Sequence, residues 1–434
     1  LAALLAKSIG GALMTGKQHA IMGGSVWGNR GAEAMLMTVI AEIRKFDPEA
    51  IFNVYSIYPE KDRVLVQDDN IRFLSGKALT VAITHFLWAL LAAPFRSLRI
   101  KIPLPKSVAT LRESDYLLDI GGITFSDGRA LQLLYNVFTI WPAMLLGVPV
   151  IKLSQAMGPF KTSLNRKLAK HFLPRCKRIF TRGSMTHEFV QALLGLDGKI
   201  EQAADIAFLF ELDYSLSQEN EEKAAHLRSK ILEWKNTGEK VISIVPSSLV
   251  LKRSLKQGTD YPGKLLNLYL NTMGKPFRYV FLPNGTREGS EETMNNDIIA
   301  IDAVREKFRQ ELSEHEFEKI EWVDYDINTR GVREIIGATD GLVASRFHAM
   351  VAGLSLCVPT MVIGWSHKYR ETLADFGMQN YAIDYKNTDL KIVKAYQVFL
   401  DNMDSIKAQL ATRIDGVKAS SIKQFEYLRQ MSIG

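Results

Sequence analysis

The sequence predicts an α/β protein built from two Rossmann-like, doubly wound domains that face each other across a cleft, and three observations carry this expectation. The chain has 434 residues, enough for two domains of about 200 residues each. Short β-branched or apolar runs alternate with helical patterns along its length, the mark of parallel βαβ units. A polar stretch at 211–239, rich in Glu and Lys, separates two such series. Apolar residues make up 47% of the chain and charged residues 23%, a balance that excludes disorder, collagen-like repeats and coiled coil. The two cysteines, Cys176 and Cys357, form no CxxC pair, so a disulfide framework, a zinc ribbon and a thioredoxin-type motif are disfavoured, and a reducing, cytoplasmic compartment is expected.

The elements follow in order. The first half, 1–210, offers strands near 18–22, 51–57, 116–120, 148–153 and 178–181, with a helix over 32–46 after the first of them. The stretch 211–239 is the expected linker. The second half, 240–434, offers strands near 241–245, 278–282, 320–323, 341–344, 359–363 and 381–384. The opening residues LAALLAKSIGGALM lack an initiator Met, a charged leader and a cleavage site, and read as a trimmed N-terminus. Two uncharged runs approach the length that crosses a bilayer. The run at 130–151 contains Gln132, Asn136, Pro142, Gly147 and Pro149, so it divides into an amphipathic helix, a Gly-Val-Pro turn and a buried strand leading to Lys152. The run at 78–95 is interrupted by His85 and Trp88 and followed by Arg96, Arg99, Lys101 and Lys106. Two readings fit it, a helix lying in the membrane interface and a helix packed on the core with a basic loop after it.

The net charge of +7 is unevenly spread. Residues 71–187 hold seventeen Lys and Arg against four acids, which leaves the rest of the chain net negative. Such a region attracts anionic lipid, phosphorylated small molecules or nucleic acid. Nucleic acid is disfavoured, because the stretch lacks the interleaved aromatics on which bases stack.

In doubly wound sheets ligands bind beyond the carboxyl ends of the strands, so residues that follow strands are the site candidates. Gly23-Gly24-Ser25-Val26-Trp27-Gly28-Asn29-Arg30-Gly31 joins the first strand to a helix whose N-terminal N–H groups can meet a negative or hydroxyl-rich ligand; it is neither a Walker A loop nor a GxGxxG fingerprint. Asp119-Ile120-Gly121-Gly122 places a carboxylate at the end of a buried strand, where it either faces the cleft to accept a sugar hydroxyl or holds a turn. Ser154-Gln155-Ala156-Met157-Gly158-Pro159 follows another strand. Arg182, in Thr181-Arg182-Gly183-Ser184, suits either an anion grip or a surface or interdomain ion pair. Ser345-Arg346-Phe347-His348-Ala349 puts a guanidinium and an imidazole at one helix N-terminus, an arrangement fit for a dianionic substrate that needs proton transfer. Lys368, in Trp365-Ser366-His367-Lys368, follows the next strand and is within reach of the same anion.

These motifs, in this order, resemble the polysaccharide pyruvyl transferases, which move pyruvate from phosphoenolpyruvate onto a sugar as a cyclic ketal. The resemblance is carried by Gly24 to Ala34, Asp119 to Gly122, Ser154 to Pro159, Thr181 to Ser184 and, most specifically, Ser345 to Ala349, whereas 60–112 and the last fifty residues match nothing diagnostic. It implies a fold like that of the type B glycosyltransferases, with no metal and no cofactor beyond phosphoenolpyruvate as co-substrate. It implies that Arg182, Arg346 and Lys368 hold the donor's carboxylate and phosphate and that His348 is the acid or base. The acceptor is expected near Asn29, Arg30 and Asp119, on a polysaccharide or a lipid-linked oligosaccharide. A lipid-linked acceptor gives the run at 78–95 a purpose, peripheral contact at the inner face of the cell membrane. Two other functions compete: a type B glycosyltransferase using a nucleotide sugar, for which a ribose-binding Glu after residue 340 is expected and not found, and a non-enzymatic binder of anionic glycolipid.

Overall fold

The computed structural model describes residues 16–97, 100, 102–195, 198–211, 218–293, 295–365 and 367–433. The N-terminal run LAALLAKSIGGALM, Arg99, Lys101, residues 212–217 of the expected linker and Ser366 lie outside the described residues.

Fourteen parallel strands among the described residues form two sheets. The first contains β1 (Gln18–Met22), β2 (Ile51–Ser56), β3 (Ile71–Ser75), β4 (Tyr116–Asp119), β5 (Ile123–Ser126), β6 (Val150–Gly158), β7 (Arg178–Arg182) and β8 (Ile200–Ala203). Its order is β3-β2-β1-β4-β6-β7-β8, with β5 paired to β6. The second contains β9 (Lys240–Val245), β10 (Phe277–Phe281), β11 (Ile320–Trp322), β12 (Gly341–Ala344), β13 (Thr360–Gly364) and β14 (Ala382–Asp384), in the order β11-β10-β9-β12-β13-β14. Both are doubly wound. The strand order reverses between β1 and β4 in one sheet and between β9 and β12 in the other. At those two switch points the helices leave in opposite directions and open a crevice above the strand ends. The register sets Met22 beside Asp119 and Val245 beside Ala344, so the glycine loop flanks the Asp-x-Gly-Gly turn and Pro246-Ser247 flanks Ser345-Arg346.

Most strands lie where the apolar runs predict them. Three others, β3, β5 and β8, have no counterpart in the sequence reading: β3 alternates buried and exposed positions at a sheet edge, and β5 and β8 are four residues long. The helix predicted over 32–46 is Arg30–Arg44; it starts earlier because the Asn29 side chain accepts from the Gly31 and Ala32 N–H groups and caps it there. The run at 130–151 becomes the helix Ala130–Leu146, ended by Gly147 at φ 82°, followed by β6. Strand β6 continues to Gly158, so Ser154 and Gln155 lie within it rather than after it.

The run at 78–95 folds as a π-helical segment, Thr80–His85, leading into the helix Phe86–Ser97. Its inner side is core: Phe86 packs on Phe138 and Trp141 of the Ala130–Leu146 helix, and Ala89 and Ala92 are buried. Its outer side leaves Leu87, Leu90 and Leu91 in solvent. Among the described residues no helix is long and apolar enough to cross a membrane.

The stretch 211–239 contains the helix Gln218–Asn236, packed against the helix Thr329–Ala338. Within 240–434, the strands build the second sheet, whereas the last helix, Met403–Ile433, returns to the first. Gln424, fully buried, donates to the Ser154 hydroxyl at 2.7 Å and the Ala204 carbonyl at 3.1 Å, and the Tyr116 hydroxyl donates to the Met431 carbonyl at 3.1 Å. Removing Gln424's amide withdraws these buried bonds. Gln424→Ala should therefore lower unfolding free energy by about 1–3 kcal/mol, read as a lower denaturant midpoint.

Candidate active site

The glycine loop after β1 is shaped from beneath by a carboxylate. Asp62, fully buried on the helix Pro59–Leu65, accepts from the Val26 and Trp27 N–H groups at 3.0 and 2.7 Å, from the Ser25 hydroxyl at 3.2 Å and from the Ser56 hydroxyl. Sequence reasoning missed Asp62, which lies on a different helix from the loop it holds.

From the loop onward, each residue has a distinct placement. Asn29 borders a cavity of about 300 Å³ while capping the helix. Arg30 does not border that cavity. It is buried between the two halves, bonded to Glu33 at 2.5 Å and to Asp326 at 3.2 Å. Around it, Thr329 donates its N–H to Glu33 at 3.1 Å and its hydroxyl to the Arg30 carbonyl at 2.8 Å, and Arg30 N–H donates to Asn284 at 3.1 Å. Gly31 faces the His348 ring so closely that a Cβ there would overlap it.

Asp119 borders the same cavity and forms an ion pair with Lys152, itself wholly buried. Gln155 ties this turn together, donating to the Asp119 carbonyl at 2.8 Å and accepting from the Thr124 hydroxyl at 2.7 Å. The Ser-Gln motif is therefore a scaffold beneath the site rather than a wall of it. Trp27, Tyr58 and Tyr135 supply aromatic surface to the cavity.

Arg182, Arg346, Lys368 and His348 are brought together beside it. Arg182, at the end of β7, bonds Asp205 at 2.5 Å and the Gly122 carbonyl at 2.9 Å. Its guanidinium lies 4.4 Å from the centre of the Phe347 ring, and the Lys368 ammonium lies 4.7 Å from the same centre. Arg346 is clamped by both oxygens of Asp297, at 2.5 to 2.9 Å, and by Asn295 at 3.2 Å and Ser248 at 3.3 Å. Tyr261 and Tyr369 donate to the hydroxyl and carbonyl of Ser345, fixing the turn that carries Arg346 and His348. His348 Nε2 lies 3.6 Å from an Asp205 oxygen.

The charges are unbalanced in a telling way. Asp205 and Asp297 serve two of the cations, whereas Lys368 forms no ion pair among the described residues. Burial, and then the positive charges of Arg182, Arg129 and Arg346, bring the Lys368 amine down to about 7. Burial also lowers His348, partly offset by Asp205, so the imidazole is disposed to be neutral. For Asp205, burial favours the protonated form, but His348 and Arg182 outweigh it and hold the carboxyl well below the usual range. The excess of positive charge in this cluster suits an anion.

Three bridges join this cluster to the cavity. Gly122 and Asn295 border the cavity and bond Arg182 and Arg346 respectively, and Arg129, also on its wall, is among the charges acting on Lys368. Asp205, Asp297 and Arg129 were not predicted. Only Asp205, in Asp-Ile-Ala two residues after the end of a short strand, carries a local signal, since its side chain accepts from the Ala207 N–H. A second cavity of about 390 Å³ lies beyond the Arg182–Asp205 pair, lined by Thr372, Asp375, Arg413 and Ser420, and shares none of the other cations. Among the described residues no three His, Cys, Asp or Glu side chains gather as metal ligands.

Two parallel α/β sheets with a site at their switch points define a GT-B-like fold, and solved structures agree. A UDP-GlcNAc 2-epimerase from Neisseria meningitidis bound to UDP-GlcNAc superposes with a TM-score of 0.59 at 11% identity, covering 95% of this chain and 100% of that one. A UGT transferase from Siraitia grosvenorii in complex with UDP gives 0.55 at 12% identity, covering 96% and 100%. The S. aureus MnaA–UDP structure gives 0.53 at 10% identity, covering 92% and 91%. At such identities the likeness concerns the fold alone. The chain itself belongs to the polysaccharide pyruvyl transferase family, whose sequence profile matches residues 29–367. That span takes in Arg182, Arg346 and His348 and stops one residue before Lys368.

The Lys368 amine titrates near 7 in the folded chain, against 10.5 when unconstrained, so between those values the folded protein binds fewer protons than the unfolded one. Stability contributed by this group therefore rises with pH across that window. An arriving anion reverses the shift. Inorganic phosphate should bind with proton uptake at pH 8 and weaken by up to about tenfold per pH unit above 7. Calorimetry in two buffers of different ionisation enthalpy measures the uptake, which Lys368→Met should remove.

Proposed function

We propose that this protein transfers pyruvate from phosphoenolpyruvate to two hydroxyls of a sugar, in a polysaccharide or a lipid-linked oligosaccharide, forming a cyclic ketal and releasing phosphate. The observation that supports this best is the gathering of Arg182, Arg346 and Lys368, the last without an ion pair among the described residues, about His348 beside a cavity with aromatic and polar walls.

The three cations hold the donor's carboxylate and phosphate, with Arg129 closing from the cavity side. His348 moves protons. The donor's methylene carbon gains a proton and becomes a methyl group, while a sugar hydroxyl adds to the neighbouring carbon and loses its proton. The bond from that carbon to the phosphate oxygen then breaks, and a second hydroxyl adds and gives up its proton. In balance, one hydroxyl proton ends on the methyl group and the other on the released phosphate. Fixed cations stabilise the departing dianion, and a largely neutral imidazole is poised to accept a proton before it donates one. Asp119 and Asn29 border the acceptor. Arg30 is engaged between the halves and receives no acceptor role.

Peripheral contact with an anionic membrane belongs to this reading, with the enzyme acting in the cytoplasm at the inner face of the cell membrane. What supports it is the outer face of the 79–97 segment: Leu79 is 75% and Leu91 58% exposed, with Leu87, Leu90 and Phe95 beside them and Arg96 and Lys106 exposed nearby. Leu131, 86% exposed, adds an apolar side chain on the helix that walls the cavity through Gln132 and Tyr135.

Two experiments test these claims. Phosphoenolpyruvate should raise the melting temperature beyond the rise produced by equal inorganic phosphate, and Arg346→Ala should abolish the difference; stabilisation by UDP-sugars instead would favour a nucleotide-sugar transferase. For the surface, sedimentation with phosphatidylglycerol vesicles should capture the protein, and Leu87→Glu with Leu91→Glu should weaken capture at least about tenfold; equal capture of both proteins would remove the membrane contact.

A further inference from the structure

We propose that Asp205 is a positioning residue for His348, holding the Nε2 edge of the imidazole so that Nδ1 is the nitrogen presented to the reacting groups. The inference rests on the reading above that His348 transfers protons.

The geometry has three parts. First, the carboxylate is fixed. Asp205 is 1% exposed; one oxygen accepts from the Ala207 N–H at 2.9 Å, its carbonyl accepts from the Ser421 hydroxyl at 3.1 Å, and its other oxygen bonds Arg182 at 2.5 Å. Second, the two ring nitrogens of His348 differ. Nε2 is shut away from solvent, lacks a bond at normal distance, and has the Asp205 oxygen as its near neighbour at 3.6 Å. Nδ1 lies on the opposite side of the ring, on the edge that meets Gly31 at the start of the Arg30–Arg44 helix. Third, the 3.6 Å separation is a few tenths of an ångström beyond a hydrogen bond, within the reach of a small side-chain adjustment.

A buried carboxylate beside Nε2 favours the tautomer with its proton there, leaving the Nδ1 lone pair free to take a proton from a sugar hydroxyl and pass it on. The same carboxylate favours the imidazolium that forms in between. Because Asp205 follows β8 of the first sheet and His348 follows β12 of the second, this pair assembles only when both halves are in place. The charged groups facing the ring are Asp205, Arg182 and Lys368. The helices packed against its own carry the Arg30–Glu33 pair and Arg333, a buried guanidinium on which the charge of Asp205 also acts.

The test reads the tautomer directly by nitrogen NMR of protein labelled with ¹⁵N-histidine, the His348 signals being assigned by their loss in His348→Gln. In the unaltered protein, neutral His348 should carry its proton on Nε2, and its titration midpoint should fall by at least about half a pH unit in Asp205→Asn, as the carboxylate's attraction for the imidazolium is lost. Asp205→Glu, which keeps the charge, should retain the Nε2–H tautomer. Where an acceptor supports turnover, Asp205→Asn should lower kcat by about 100-fold or more and move the acid limb of the profile to lower pH. A proton on Nδ1 in the unaltered protein, or a midpoint unmoved by Asp205→Asn, would overturn the proposal whether or not the variants fold well enough to assay. Loss of phosphoenolpyruvate binding to the extent seen in Arg182→Ala, with the His348 signals unchanged, would assign Asp205 to Arg182 alone. Because the NMR result needs no donor or acceptor, failure of pyruvyl transfer and failure of this pairing remain separable.

Discussion

The first turn of the Arg30–Arg44 helix is the joint on which the rest of the site depends. Four neighbouring residues act there in succession. Asn29 caps the turn, Arg30 turns into the contact between the halves, Gly31 leaves room for the His348 ring, and Glu33 receives a backbone N–H from Thr329 of the second half. An arginine and a glutamate are costly to bury singly, and here they are buried as a pair with hydrogen bonds from both halves. The requirement for a glycine at 31 is steric and comes from the imidazole of a residue 317 positions away.

Electrostatics then separates two kinds of cation. Arg182 and Arg346 have partners already and are held in one geometry before any substrate arrives. Such preorganisation suits recognition of a carboxylate or phosphate, because little side-chain freedom remains to be lost. Lys368 is different, since it faces positive neighbours across an aromatic ring without a counter-ion among the described residues. A compact ammonium on a flexible stem responds to an incoming charge by changing its protonation, which a guanidinium does not do.

Shape adds a further constraint. The Ala130–Leu146 helix begins at the cavity, through Arg129 and Gln132, and packs along its length against the Phe86–Ser97 helix, whose outer face is apolar and in solvent. One rigid element therefore connects the aromatic walls of the cavity to that face. Of the two readings that the sequence left open for 78–95, packing on the core describes the inner side of the segment. Its alanines and Phe86 pack inward while its leucines point out.

The sequence by itself determined the fold class, eleven of the fourteen strands among the described residues and the strand-end motifs, because parallel strands buried on both faces read as continuous apolar runs and the loops that follow them carry glycines and charged residues. It also named Arg182, Arg346, His348 and Lys368, which lie at strand ends and helix first turns that parallel topology brings to one edge. The short or edge strands β3, β5 and β8 escaped it, since four or five residues with mixed exposure leave no clear period. Only the tertiary structure decided that Arg30 joins the halves, that Ser154 and Gln155 support the site from within a strand, and that Asp62, Asp205, Asp297 and Arg129 belong to it. Such partners are chosen by distance in space, across 23 residues for Arg182 with Asp205 and 49 for Arg346 with Asp297, and local periodicity carries no record of pairings made across folded sheets.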